Sequence, residues 1–116
     1  MYKEKCLLVG LEIYDTDKTK SKIENNMIEL SELVKADDGI VVSTIIQKRF
    51  KKDNKYYVGK GKIEEISIYA DELDIDTIVI NDELTGSQIN NIEKAVGVKV
   101  VDRTMIILDI FAKRAL

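Results

Sequence analysis

Short runs of β-branched and aliphatic residues alternate with segments of helical periodicity along this chain of 116 residues. The apolar runs predict strands at residues 5–13, 40–50, 76–81 and 98–101. The helical spacing predicts helices at residues 20–36, 62–73, 85–97 and 105–116. Strands separated by helices pair in parallel, because parallel neighbours need crossover connections. The pattern therefore predicts one α/β domain over residues 1–116, with a four-stranded, mostly parallel sheet flanked by helices in the order β-α-β-α-β-α-β-α.

Turn and cap signals set the predicted ends of the helices. Residues 15–17 (Asp-Thr-Asp) indicate a turn or cap before the first helix. Gly39 is the candidate for a left-handed residue at its end. Thr85 and Gln88 have the spacing of a capping box, and Thr104 can cap the last helix.

The composition excludes several kinds of site. There is no histidine, so the commonest general base and transition-metal ligand is missing. The single cysteine, Cys6, cannot form a disulfide within the chain or a zinc site on its own, and its apolar surroundings indicate a buried hydrophobe. No apolar run approaches the roughly 20 residues that span a bilayer, and no signal peptide is evident. We therefore expect a cytoplasmic location and no membrane partner.

The most informative charge feature is a basic stretch at residues 48–62. Seven basic residues and one acidic residue give it a net charge of +6, while the whole chain carries −3 and the remainder therefore carries −9. Phe50, Tyr56 and Tyr57 lie within the stretch. Basic side chains neutralise phosphates and aromatic rings stack on unpaired bases, so the stretch indicates RNA contact. The alternative is a solvated loop, with the tyrosines in the core.

The glycines of this stretch also allow two interpretations. Gly59 and Gly61 precede a helix and have Lys60 and Lys62 beside them. A phosphate-binding loop of a GTPase is excluded, because Gly61-Lys62 is followed by Ile63 and not by Ser or Thr. Backbone N–H groups at a helix start can still bind an anion such as an RNA phosphate. Alternatively, the glycines only permit tight turns.

Acidic residues follow two predicted strands. Asp82 and Glu83 come after the third strand and Asp102 after the fourth. Carboxylates at strand ends can hold magnesium or act as acid and base, which supports an alternative nucleotide-binding or weakly hydrolysing domain. They can equally cap turns or form ion pairs, as Asp102 can with Arg103. Because no nucleophile and base pair is evident, we predict no catalytic residue, metal site or cofactor for this chain.

The last predicted helix, residues 105–116, is apolar on most faces. Ile106, Ile107, Leu108 and Phe111 are among its residues, and such a helix is expected to be buried. Its abrupt, apolar end indicates the start of a helix that leads into a longer protein. Left uncovered, it could also mediate dimerisation.

Three stretches together resemble the N-terminal domain of HflX-type GTPases. They read Y-V-G-K-G-K-I-E-E at residues 57–65, N-D-E-L with S-Q and N-I-E-K between 81 and 94, and V-D-R-T-M-I-I-L-D-I-F-A at residues 101–112. Gln47-Lys48-Arg49 and the opening strand match as well. The resemblance extends over essentially the whole chain. Two departures are Lys51-Lys52-Asp53-Asn54-Lys55 and Thr85-Gly86, where the family often carries proline.

The resemblance implies a domain of a ribosome-associated GTPase that binds the large ribosomal subunit and takes part in splitting or rescuing stalled ribosomes. GTP and magnesium are then cofactors of the full protein, whose GTPase domain follows a helical linker, and this chain is not itself an enzyme. The best candidates for contact with ribosomal RNA are Lys48, Arg49, Lys51, Lys52, Lys55, Tyr56, Tyr57, Gly59, Lys60, Gly61 and Lys62. A contact with the parent's own GTPase domain, with a regulatory role, is the second alternative. Its candidate residues are Asp102, Arg103, Thr104, Ile107 and Phe111.

Overall fold

The computed structural model describes residues 1–14 and 20–114 and confirms the predicted order of elements. The strands are β1 (Lys5–Ile13), β2 (Ile40–Arg49), β3 (Thr77–Ile80) and β4 (Lys99–Asp102). The helices are α1 (Lys20–Ala36), α2 (Lys60–Glu72), α3 (Gly86–Val96) and α4 (Arg103–Arg114). The predicted turn at residues 15–17 and the last two residues of the predicted final helix lie outside the described residues.

All four strands pair in parallel, in the order β2-β1-β3-β4. The chain first moves from β1 to one side of the sheet, where β2 forms an edge, and then crosses back to add β3 and β4 on the other side. This reversal places a topological switch point between β1 and β3. In open α/β sheets ligands bind outside the carboxyl ends of the strands, most often at such a point.

Strand β1 is the most buried element of the domain. It is paired on both sides, and every residue from Cys6 to Leu11 is buried. Leu7, Val9 and Leu11 face one hydrophobic cluster, whereas Cys6 and Leu8 face another. The continuous apolar run therefore reflects a strand covered on both faces. The predicted role of Cys6 as a small buried hydrophobe is confirmed, and burial raises the pKa of its thiol to about 11.

The helices cover the two faces of the sheet in pairs. Ile63 and Ile66 of α2 and Ile92 of α3 belong to the cluster beneath Leu7 and Val9. Helices α1 and α4 cover the opposite face, for instance through Leu30 and Ile106. This arrangement is the doubly wound architecture that right-handed crossovers produce.

Glycine 10 allows α1 to approach the sheet closely. A Cβ atom added at Gly10 would collide with the thioether sulfur of Met27, which packs onto β1. Any larger residue would force the Met27 side chain to move.

At two of the four predicted cap and turn positions, the structure assigns the role to a different residue. The capping box of Thr85 and Gln88 is confirmed, including both reciprocal hydrogen bonds. The left-handed residue after α1 is Asp38, at φ 66°, and not Gly39. Gly39 is required for space instead, because a Cβ atom there would lie 2.7 Å from the Val34 side chain.

The prediction that Thr104 caps the last helix is wrong. Helix α4 begins at Arg103, and the carboxylate of Asp102 accepts a hydrogen bond from the backbone N–H of Met105 at 2.9 Å. Asp102 is therefore the N-cap. Its second oxygen accepts from the backbone N–H of Leu84, also at 2.9 Å, so one buried carboxylate joins the end of β4 to the loop before α3.

The expectation that the last helix is buried is only partly correct. Ile106 is buried, but Met105, Leu108 and Phe111 are exposed by 41%, 61% and 69%. Lys113 fixes the far end of α4 through an ion pair of 2.9 Å with the buried Asp37 of the turn after α1. The helix therefore lies firmly on the sheet with an apolar face outward. None of the described helices is both long and apolar enough to span a membrane.

Replacing the capping carboxylate should destabilise the domain. We expect Asp102→Ala to lower the free energy of unfolding by about 1–3 kcal/mol, because two backbone N–H groups lose their acceptor at a buried position. Urea denaturation measures this change. The exposed Glu72→Ala on α2 is the control and should stay within about 0.5 kcal/mol of the wild type. Equal stability of the two variants would contradict the capping role.

Candidate nucleic-acid interface

The basic stretch forms one surface at the carboxyl edge of the sheet. It comprises the last two residues of β2, the loop that follows, and the first turn of α2. We call residues 48–62 the basic edge. Because all strands are parallel, this edge is also where ligands of the fold class bind.

The loop of the basic edge is well anchored. Asp53 and Tyr57 exchange two backbone hydrogen bonds of 3.0 Å, which close a tight loop. The Asp53 carboxylate also accepts hydrogen bonds from the backbone N–H groups of Lys55 and Tyr56. From α3, the Gln88 amide donates to the carbonyl of Asp53. The lysines are thus presented by a loop whose backbone is held in place.

Most cations of the basic edge face solvent. Lys48, Lys51, Lys55 and Lys60 are exposed and form no ion pair with any other residue that the structure describes. Lys52 lies 3.9 Å from Asp82, and Lys62 pairs with Glu65 at 2.7 Å. Exposed cations that have no counter-ion among the described residues are available to phosphates.

Arg49 and the two glycines form the corner between β2 and α2. The Arg49 Nε donates to the carbonyl of Lys51 at 3.1 Å, and a Cβ atom added at Gly59 would collide with the Arg49 guanidinium. The N–H of Gly59 donates to the Gln47 amide oxygen at 2.9 Å. Gly59 is the extended N-cap of α2 and lies close against the Arg49 side chain.

No close contact explains why residue 61 is a glycine. It lies within the first turn of α2, its φ is not positive, and a Cβ atom there would meet nothing within 4 Å. Glycine inside a helix costs about 1 kcal/mol relative to alanine. The interpretation that both glycines serve tight turns is therefore not supported at Gly61.

Tyr57 was predicted to contact RNA, and the structure contradicts that prediction. Its ring has no exposed surface and belongs to the main hydrophobic cluster. Its hydroxyl donates a short hydrogen bond to Asp82, directly after β3. Burial, reinforced by the hydrogen bond to and the charge of Asp82, raises the pKa of Tyr57 above its ordinary value of 10. A side chain in this position cannot stack on a base.

Tyr56 is less buried than its neighbour, although it packs against the same hydrophobic cluster. It is half-buried, and the Lys55 ammonium lies 5.2 Å from the centre of its ring. Part of the Tyr56 side chain therefore remains exposed at the basic edge, whereas the Tyr57 side chain is buried beneath it.

The acidic residues at the strand ends are engaged in the fold. Both oxygens of Asp102 accept backbone hydrogen bonds, and Asp82 accepts from Tyr57. The predicted pairing of Asp102 with Arg103 is not observed. Among the residues described, no three Asp, Glu or Cys side chains come together as a metal-binding group. These carboxylates give the nucleotide-binding alternative no support.

Arg103 connects the switch-point side of the sheet to α1. Its guanidinium donates to the Asn81 side chain at 3.0 Å, to the Asn26 carbonyl at 3.3 Å and to Glu29 at 3.0 Å. Of the residues predicted for a domain interface, Asp102 and Arg103 thus have internal partners. Thr104 and Ile107 are half-buried, and Phe111 is exposed.

Two aromatic residues of this edge, Tyr14 and Phe50, are absent from the predicted site. Tyr14 stacks on Phe50 with ring centres 4.5 Å apart, and Lys48 lies 4.7 Å from the Tyr14 ring centre. Tyr14 follows β1, 34 positions before Lys48 in the sequence. Only the pairing of β1 with β2 brings the two together, so the local sequence carries no signal for this contact.

The chain is similar to one family of known proteins. A family model described as "GTP-binding GTPase N-terminal" matches residues 24–112. The GTPase HflX of Caldanaerobacter subterraneus subsp. tengcongensis is 42% identical over 113 residues, which are 97% of this chain and 25% of that protein. The GTPase HflX of Alkalihalophilus pseudofirmus is 43% identical over 112 residues, 97% of this chain and 26% of that protein. The chain thus spans about a quarter of the length of these curated relatives.

Solved structures support the fold. A GTP-binding protein from Sulfolobus solfataricus in complex with GDP superposes with a TM-score of 0.64 at 23% identity, covering 93% of this chain and 30% of that chain. The C-terminal catalytic domain of a serine recombinase superposes with a TM-score of 0.59 at 16% identity, covering 95% of this chain and 79% of that chain. At these identities the likeness is one of architecture, and architecture alone does not decide function.

The buried position of Tyr57 predicts a pH-dependent stability. Above pH 10 an unfolded chain releases the tyrosine proton that the folded state retains, so the folded state loses stability as the pH rises. We expect Tyr57→Phe to be about 1 kcal/mol less stable than the wild type at pH 7, where Asp82 loses its donor. That deficit should shrink between pH 10 and pH 11 in urea denaturation. Tyr69→Phe, at an exposed position on α2, is the control, and identical profiles for both variants would contradict the assignment.

Proposed function

This chain belongs to the GTP-binding GTPase N-terminal family, and we propose that it is the ribosome-binding N-terminal domain of an HflX-type GTPase. In this proposal it binds ribosomal RNA of the large subunit through the basic edge, in the cytoplasm, while the full protein splits or rescues stalled ribosomes. The observation that carries the proposal is the concentration of seven basic residues on one edge of an otherwise acidic domain.

The charge distribution favours RNA over an acidic protein as the partner. Four exposed lysines of the basic edge lack ion pairs among the described residues. They are spread over a strand end, a loop and a helix start, which suits a ligand with regularly spaced charges. A phosphate backbone has this property, and each neutralised phosphate releases counterions into solution. The −9 carried by the remainder of the chain repels RNA from the other surfaces and so orients the domain.

The nucleotide chemistry belongs, in this proposal, to the rest of the longer protein. The curated relatives are named as GTPases, and this chain covers about a quarter of their length. Residues 48–62 contain no G-x-x-x-x-G-K-[ST] sequence for holding GTP and its magnesium ion. GTP and magnesium would therefore be bound outside these 116 residues, and this chain would supply the attachment to RNA.

The outward face of α4 favours a second contact. Met105, Leu108 and Phe111 are spaced three residues apart and form an exposed apolar stripe. A stripe of this kind fits a second apolar surface. We infer that it packs against a later part of the longer protein, which would couple this domain to the GTPase domain. A dimer of the isolated chain through α4 is the competing arrangement.

Reversing charge on the basic edge should abolish ribosome binding. We expect the triple variant Lys51→Glu, Lys55→Glu and Lys60→Glu to lose co-sedimentation with purified large ribosomal subunits. Wild-type binding should weaken steeply with salt, and replacing the lysines singly should reduce the logarithmic salt slope by about one each.

The matched control reverses Lys3, Lys35 and Lys94, which are exposed near the amino edge of the sheet. It changes the net charge by the same amount and should bind as the wild type does. Equal loss in both triple variants would mean that only net charge matters. Absence of binding by the wild type itself would contradict the proposal and favour the α4 contact as the main role of the domain.

A further inference from the structure

An exposed aromatic pair lies at the end of the basic edge. The rings of Tyr14 and Phe50 stack with centres 4.5 Å apart and planes 25° from parallel. Phe50 is 80% exposed and Tyr14 is 48% exposed. The stack covers part of each ring, and most of the Phe50 ring remains open to solvent. An open phenylalanine ring adds little apolar burial to the fold, so the stacked pair is a candidate binding surface.

The sheet itself fixes this pair. Ile13 and Arg49 are the last paired residues of β1 and β2, and the N–H of Tyr14 donates to the Arg49 carbonyl at 2.8 Å. Tyr14 and Phe50 are therefore the first residues beyond two neighbouring parallel strands, held side by side by the backbone. Binding to a pair set up in this way costs little conformational entropy.

Positive charge lies beside the aromatic pair. The Lys48 ammonium lies 4.7 Å from the Tyr14 ring centre. Arg49 precedes Phe50, while Lys51 and Lys52 follow it. An apolar ring surface beside positive charges matches one ligand chemistry closely, namely a flat aromatic group attached to phosphates.

We propose that Tyr14 and Phe50 form a stacking platform for an unpaired RNA base, whose flanking phosphates are bound by Lys48, Lys51 and Lys52. This inference rests on the proposed function and specifies single-stranded or looped RNA as the ligand. A paired base inside a helix presents no free face to a ring. A second copy of the chain is a poorer occupant, since two basic edges brought face to face would repel each other.

The test measures binding of two RNA-like probes and of large ribosomal subunits. One probe is a 12-nucleotide oligoadenylate, and the other is an abasic oligonucleotide of the same length, which has the phosphates and no bases. We expect Phe50→Ala to weaken binding of oligoadenylate and of large subunits about 5- to 150-fold, the range for one lost stack. Binding to the abasic probe and the salt slope should not change, because no phosphate contact is removed.

Two further variants sharpen the result. Phe111→Ala removes the other exposed phenylalanine, on α4, and should leave all three affinities unchanged. Phe50→Trp keeps an aromatic face and should preserve binding. Since the chain has no tryptophan, this variant also adds a single fluorophore, which should be quenched when oligoadenylate binds and unaffected by the abasic probe.

The failures are distinguishable. Unchanged binding of Phe50→Ala would overturn the platform and leave the basic edge as the binding surface. If Phe50→Ala weakened binding of the abasic probe equally, the platform would also be overturned. The substitution would then have disturbed the phosphate-binding lysines and not a base stack. A wild-type dimer that Phe50→Ala turns into a monomer would assign the platform to self-association. If the wild type binds neither large subunits nor probes, the proposed function and the platform both fail.

Discussion

Burial of β1 on both faces is the constraint on which the rest of the structure depends. Its residues from Cys6 to Leu11 are buried, and both neighbouring strands take their register from it. Helices must then pack on both faces, which requires the close approach of Met27 at Gly10. Because the strands are all parallel, the same constraint gathers every strand end, and the loops that carry function, at one edge of the sheet.

The carboxyl edge is held together by buried polar contacts that leave its surface free. Tyr57 fills the interior and bonds to Asp82, Asp102 ties β4 to the loop before α3, and Arg103 reaches α1. Among the exposed lysines of residues 48–62, only Lys52 approaches these side chains, at 3.9 Å from Asp82, within the part of the chain that the structure describes. Exposed lysines on the rim of the edge that have no ion pair within residues 1–14 and 20–114 are available to a phosphate backbone, whereas Asp82 and Asp102 are engaged in the fold.

Local pattern predicted the elements well and the site only in part. Strands, helices and the Thr85 capping box depend on residues near one another in sequence, and all three were predictable. The cap of α4 was assigned to Thr104 because hydroxyl and carboxylate residues both suit that position, and only three-dimensional contacts favour Asp102. Tyr57 could not be told from an exposed tyrosine within a basic run, and Tyr14 joins Phe50 only through the pairing of β1 with β2.

The central claim is that the carboxyl edge is the surface that faces ribosomal RNA. Ultraviolet cross-linking of the bound chain to large ribosomal subunits, followed by mass spectrometry of the RNA-linked peptides, tests it at the level of residues. The account predicts cross-links at Tyr14 and within residues 48–62, and none at the amino edge near Lys3, Lys35 and Lys94. Cross-links concentrated at the amino edge or on the outward face of α4 would contradict it.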